Sequence, residues 1–95
     1  MKLIILYTMD GCPHCTNIKD EFKKNNIVFI DRDINEYEDE YNQFVSVVKN
    51  EYVPSLILLT LDDKNESTDV KFLTPDNDYN TIYEAVEIVK KYLLN

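Results

Sequence analysis

Ninety-five residues are one compact domain's worth of chain, too short for two independent cores. Eighteen acidic residues against ten basic ones give a formal charge of −8, which repels a nucleic-acid backbone or an anionic lipid surface. No apolar run approaches the roughly 20 residues that span a bilayer, and Leu3 to Leu6 is far shorter than a signal-peptide core, so the chain reads as cytoplasmic, with no membrane or nucleic-acid partner.

Lys2 to Tyr7 is a short, mostly apolar run of strand formers, as a buried central strand requires. Beyond Asp10-Gly11, the apolar positions Cys15, Ile18 and Phe22 recur at helical spacing while Lys19, Asp20, Lys23 and Lys24 face away, which predicts an amphipathic helix to about Asn25. Ile27 to Ile30 reads as a second buried strand, parallel to the first because a helical crossover joins them. Tyr37, Tyr41, Phe44, Val45 and Val48 mark a second helix, with Glu36, Glu38, Asp39 and Glu40 loaded where the helix dipole favours negative charge. Ser55 to Leu61 and Val70 to Leu73 read as an antiparallel hairpin around the polar stretch Asp62 to Asp69. Asp76-Asn77-Asp78 precede a last helix whose buried stripe is Ile82, Val86, Val89 and Leu93. The order β-α-β-α-β-β-α predicts an α/β fold with a four-stranded mixed sheet flanked by helices.

Both cysteines fall in Cys12-Pro13-His14-Cys15, where the first strand hands over to the first helix. Cys12 stands at or near the helix N-cap and Pro13 at the first helical position, where a missing N–H costs nothing. Residues three apart in a helical turn approach to about 5 to 6 Å between Cα atoms, the distance at which a disulfide closes. Thiol–disulfide exchange needs the thiolate. A helix N-terminus stabilises a nearby anion by roughly 0.3 to 1 kcal/mol, pulling the Cys12 thiol below its ordinary value. Cys15, beside the apolar stripe, is the less exposed, resolving thiol, and His14 is a solvent-facing tuner of the pair. A structural zinc site needs four ligands, whereas this chain offers two cysteines and one histidine. A permanent structural disulfide is disfavoured by the compartment and the small loop it would close.

Leu6-Tyr7-Thr8, the Cys-Pro-His-Cys turn, the segment Val53-Pro54-Ser55-Leu56-Ile57 and the element order together resemble the glutaredoxins of the thioredoxin-like fold, along essentially the whole chain. The resemblance implies one glutaredoxin-like domain over residues 1–95 that reduces protein or glutathione-mixed disulfides through a Cys12/Cys15 cycle. It implies Cys12 as attacking sulfur, supported by Pro13, His14 and a cis Pro54, with Tyr7, Val53, Asn77 and Asp78 on the substrate side. Glutathione is the implied co-substrate, with no bound cofactor or metal and a monomeric state. Two departures stand out. Met9 occupies the place of a family lysine, and Thr74-Pro75-Asp76-Asn77-Asp78 carries no glycine where the family has a Gly-Gly pair. Two rival readings are a redoxin served by thioredoxin reductase or dedicated to one acceptor, and a non-catalytic binding module on the same fold.

Overall fold

A computed structural model describes residues 1–94. The elements are β1 (Lys2–Thr8), α1 (Pro13–Lys24), β2 (Ile30–Asp33), α2 (Glu38–Val48), β3 (Ser55–Leu61), β4 (Ser67–Leu73) and α3 (Ile82–Leu94). The sheet order is β2-β1-β3-β4. β1 pairs parallel with β2 and antiparallel with β3, and β3 pairs antiparallel with β4. Among the described residues, no helix is long and apolar enough to cross a membrane.

The two-residue period of the strands splits the core into two layers. Ile4, Leu6, Leu56, Leu58 and Leu73 project to one face, where they bury Ile18 and Phe22 of α1 and Ala85, Val86 and Val89 of α3. Ile5, Tyr7, Ile57 and Phe72 project to the other and pack on Tyr41 and Phe44 of α2. β1 and β3 are sandwiched between helices, which is why both read as near-continuous apolar runs.

Three expectations are corrected. The second strand is Ile30–Asp33, not Ile27 to Ile30. Ile27 is buried and Phe29 packs on Phe22, filling the gap at the end of α1, while Val28 is exposed. The true strand lies at the sheet edge and carries polar side chains that tie it to both helical layers. The fourth strand starts at Ser67 rather than Val70, because an edge strand with exposed Ser67, Thr68 and Asp69 leaves no apolar alternation to read. The last helix begins at Ile82, and its first turn is capped by Thr81, whose Oγ1 accepts from the Glu84 amide at 3.2 Å. Its stripe is Ala85, Val86 and Val89, with Ile82 partly buried; Leu93 is exposed in the last turn, beyond the edge of the core.

Candidate active site

The C-terminal end of β1 runs through Asp10 and Gly11 into α1. Gly11 holds φ +74°, a left-handed turn that a side chain would strain even though no atom lies within 4 Å of its missing Cβ. Cys12 follows as the N-cap and Pro13 as the first helical residue. The Cys12 sulfur takes the role an N-cap oxygen ordinarily plays, accepting from the Cys15 amide at 3.1 Å. Cys12 and Cys15 are joined as a disulfide with Cα atoms 5.2 Å apart. The two sulfurs differ in access. Cys12 is half-buried and Cys15 is 2% exposed, on the buried stripe of α1 with Ile18 and Phe22.

A second loop arrives at this end of the sheet because β1 and β3 run antiparallel, with Tyr7 opposite Ser55. The Val53–Pro54 peptide in that loop is cis. Side chains from several directions hold the loop. The buried Tyr79 hydroxyl donates to the Pro54 carbonyl, the Tyr41 hydroxyl donates to the Glu51 carbonyl at 2.5 Å, and the Asn50 amide donates to the Pro75 carbonyl at 2.8 Å. The Ser55 hydroxyl closes the turn on the Tyr52 carbonyl at 2.7 Å. Burial is the main cause that pushes the Tyr79 hydroxyl above the ordinary tyrosine value, with the Asp76 and Asp78 charges adding to it, so this donor stays protonated at neutral pH.

Between α1, the Pro54 loop and the start of α3 lies a groove of about 630 Å³, bordered by His14, Val53, Pro54, Asp76 and Tyr79. His14 is exposed on this wall. Among the described residues, no group of three His, Cys, Asp or Glu is arranged to hold a metal ion.

The structure distributes the sequence-derived candidates unevenly. Cys12, Pro13, His14, Cys15, Val53 and Pro54 gather at one end of the sheet. Tyr7 does not reach the surface: it is 1% exposed, packed on Tyr41 and Phe44, and its hydroxyl donates to the Glu40 carboxylate at 2.5 Å. Burial, reinforced by Glu40, pushes this hydroxyl above its ordinary value. The expected substrate contact by Tyr7 is therefore corrected to a core role. Asn77 and Asp78 are exposed, but neither caps α3; the Asp78 carboxylate instead accepts from the Thr74 amide at 2.8 Å and its hydroxyl at 3.0 Å. In the turn they form, Asp76 holds φ +67°, the left-handed conformation ordinarily given to glycine. Asp76, Asn80 and Tyr83 border the groove and carry no signal in a single sequence beyond lying ahead of the last helix or in its first turn.

Comparison with solved structures places this architecture. Glutaredoxin 1 from Francisella tularensis, crystallised with cacodylate, is similar over the full length of both chains, with a TM-score of 0.55 and 20% identity. The thioredoxin-like protein BC3987 matches at TM-score 0.58 and 17% identity, covering 94% of this chain and 97% of that one. A thioredoxin from Thermus thermophilus matches at TM-score 0.55 and 10% identity, covering 98% of this chain and 74% of that one. No curated protein matches in sequence. The likeness to solved structures shows a thioredoxin-like fold, and the Glutaredoxin family model matches residues 4–58, from β1 through the Cys12/Cys15 turn and the Pro54 loop into β3. With the redox pair and the Pro54 loop both inside the matched segment, the chain belongs to the glutaredoxin family.

Proposed function

We propose that the chain works as one glutaredoxin-like domain, a thiol–disulfide oxidoreductase that reduces disulfides of proteins or mixed disulfides with glutathione. The observation that carries this reading is the asymmetric pair: a reachable Cys12 sulfur at the tip of α1, bonded to a buried Cys15. In the reduced protein the Cys12 thiolate accepts the Cys15 N–H and sits at the positive end of the helix, which together favour the anion. That thiolate attacks one sulfur of the substrate disulfide, and the other leaves as a thiolate that takes a proton from water. The resulting mixed disulfide lies beside Val53 and Pro54. The Cys15 thiolate then attacks the Cys12 sulfur, expelling the second substrate thiolate and regenerating the Cys12–Cys15 disulfide. One disulfide is reduced and one formed, so two electrons pass from protein to substrate. Two glutathione thiols, with glutathione as co-substrate, or NADPH through thioredoxin reductase return the pair to the dithiol.

Coupled assays separate the reductants: NADPH oxidation is followed through glutathione reductase or through thioredoxin reductase, with a model disulfide as acceptor. Cys12→Ser is expected to lose turnover to background in whichever system works, whereas Cys15→Ser retains exchange with glutathione-mixed disulfides. Equal turnover by wild type and Cys12→Ser rejects the mechanism. A non-catalytic module predicts a Cys12 that iodoacetamide alkylates no faster than free cysteine across about pH 5 to 9.

A further inference from the structure

We infer that the groove beside the disulfide selects a polypeptide disulfide carrying lysine or arginine close to its cysteine; this rests on the oxidoreductase reading and names its substrate class. The charges on the groove walls carry the argument. Asp20 and Glu21 of α1 and Asp76 of the turn before α3 border it, against the single ammonium of Lys24, with His14, Tyr79 and Tyr83 as the other titratable groups. Lys24 is engaged by Glu21 at 3.6 Å. Asp20 and Asp76 have no ion-pair partner among the described residues and stand on opposite walls. The groove thus presents two uncompensated carboxylates to whatever lies between them. The ring of Tyr83, 69% exposed on the α3 side, adds an aromatic face of the kind that accepts a guanidinium or ammonium.

Glutathione, with two carboxylates and one ammonium, meets like charge on both walls. A basic side chain meets opposite charge on both. Distance fixes where that side chain must lie. Asp20 is eight residues beyond Cys12, about 12 Å along α1, which two or three extended residues cover together with the reach of a lysine side chain. A lysine two or three positions from the substrate cysteine therefore falls between Asp20 and Asp76 when the cysteine is at Cys12. The overall charge of −8 draws such substrates in from a distance.

The test uses the pre-reduced full chain in single turnovers with three disulfide-linked peptides, identical except for Lys, Ala or Glu at the second and third positions from cysteine. Product thiols are separated by chromatography. Lys is expected to exceed Ala, and Ala to exceed Glu, with about a tenfold span from Lys to Glu at low salt, the size expected of a few exposed charge pairs. At about 1 M salt the span shrinks below about twofold. The double variant Asp20→Asn/Asp76→Asn narrows it to about twofold at low salt; asparagine tolerates the left-handed backbone at Asp76. Asp63→Asn/Asp69→Asn makes the same change in net charge on the β3–β4 hairpin, at the far end of the sheet, and leaves the span intact. Equal rates for the three peptides overturn the inference. So does a span that survives the groove variant or collapses equally in the hairpin variant. Absence of turnover with every peptide overturns instead the oxidoreductase reading, and the inference with it.

Discussion

The two faces of the sheet are built from different materials. The face under α1 and α3 is mostly aliphatic, with Phe22 and Tyr79 its buried rings and with Ile18, Phe22, Leu56, Leu58 and Val89 excluded from water. The face under α2 is aromatic and polar, with the rings of Tyr7, Tyr41 and Phe44 packed at centroid distances of 5.0 to 6.2 Å. There Glu40 takes both the Tyr7 hydroxyl and the Arg32 guanidinium, and Arg32 lies 4.8 Å over the ring of Tyr37. The chemistry sits at the end of the first face. Cys15 lies on the buried stripe of α1 with Ile18 and Phe22, and the groove opens beside His14 of the same turn, whereas the second face reaches the site through Tyr41 and its hold on the loop before Pro54. A rigid apolar layer suits a helix that must hold two sulfurs in register; an adaptable polar layer suits a brace.

Truncating the matched phenylalanines tests that division most strongly. Phe22→Ala removes a ring with no exposure from the middle of the dry layer and is expected to cost about 3–5 kcal/mol. Phe44→Ala removes a ring at 5% exposure that borders partly exposed neighbours, so its cavity refills more readily and its cost falls at or below the low end of that range. Urea unfolding of both variants checks this. A larger loss at Phe44 would reverse the assignment of which layer anchors the fold.

A smaller effect appears with pH, and both faces share it. Burial raises the hydroxyls of Tyr7, Tyr41 and Tyr79 above their ordinary value, with Glu40 reinforcing Tyr7, Glu51 reinforcing Tyr41, and Asp76 and Asp78 reinforcing Tyr79. Because the folded state holds each proton more tightly than the unfolded chain, the stability they contribute is complete below about pH 10 and is lost as pH rises beyond it. The urea midpoint is expected to hold up to about pH 10 and to fall with increasing steepness above it. Tyr79→Phe, which also leaves the Pro54 carbonyl without its donor, should cost about 1–3 kcal/mol at pH 7 and flatten the alkaline slope. An unchanged slope in that variant would remove Tyr79 from the account.

How far the sequence exposed this arrangement follows from which residues speak locally. β1, β3, α1 and α2 are legible because both central strands are covered on two sides and both helices carry a clear stripe. The Cys12/Cys15 turn is legible because its chemistry is written in four consecutive residues. β2 is misplaced because Ile27 and Phe29 are apolar for the sake of helix α1, while the real strand, Ile30-Asp31-Arg32-Asp33, is polar to serve two ion pairs. Tyr7 misleads because adjacency to the site in sequence says nothing of which face its side chain takes; one position along a strand moves it to the opposite layer. Tyr79 is silent because its role depends on a loop 25 residues away in the chain.

β2 is where the faces can be compared group for group, since its alternate side chains end each layer in an ion pair. Arg32 pairs with Glu40 toward α2, and Asp31 pairs with Lys19 of α1 at 2.8 Å while accepting from the Thr8 hydroxyl at 2.7 Å. Burial alone would raise the Asp31 carboxyl; the bonds from Lys19 and Thr8, with the Lys19 and Lys23 charges, outweigh it and hold the group below its ordinary value. A depressed carboxyl contributes stability above its unfolded value of about 3.9 and loses it as pH falls through the lower folded value. The side chains of Lys19 and Asp31 are 30% and 42% exposed, so screening limits the contribution to below about 1 kcal/mol. Asp31→Asn keeps an oxygen for Thr8 and removes only the charge. The variant should be less stable than wild type by several tenths of a kcal/mol at pH 7, with the gap closing as pH falls through the lowered Asp31 value and in high salt. A variant as stable as wild type at every pH and salt concentration would mean that Asp31 acts through its hydrogen bond to Thr8 alone, and that the charge at this edge does not tie α1 to the sheet.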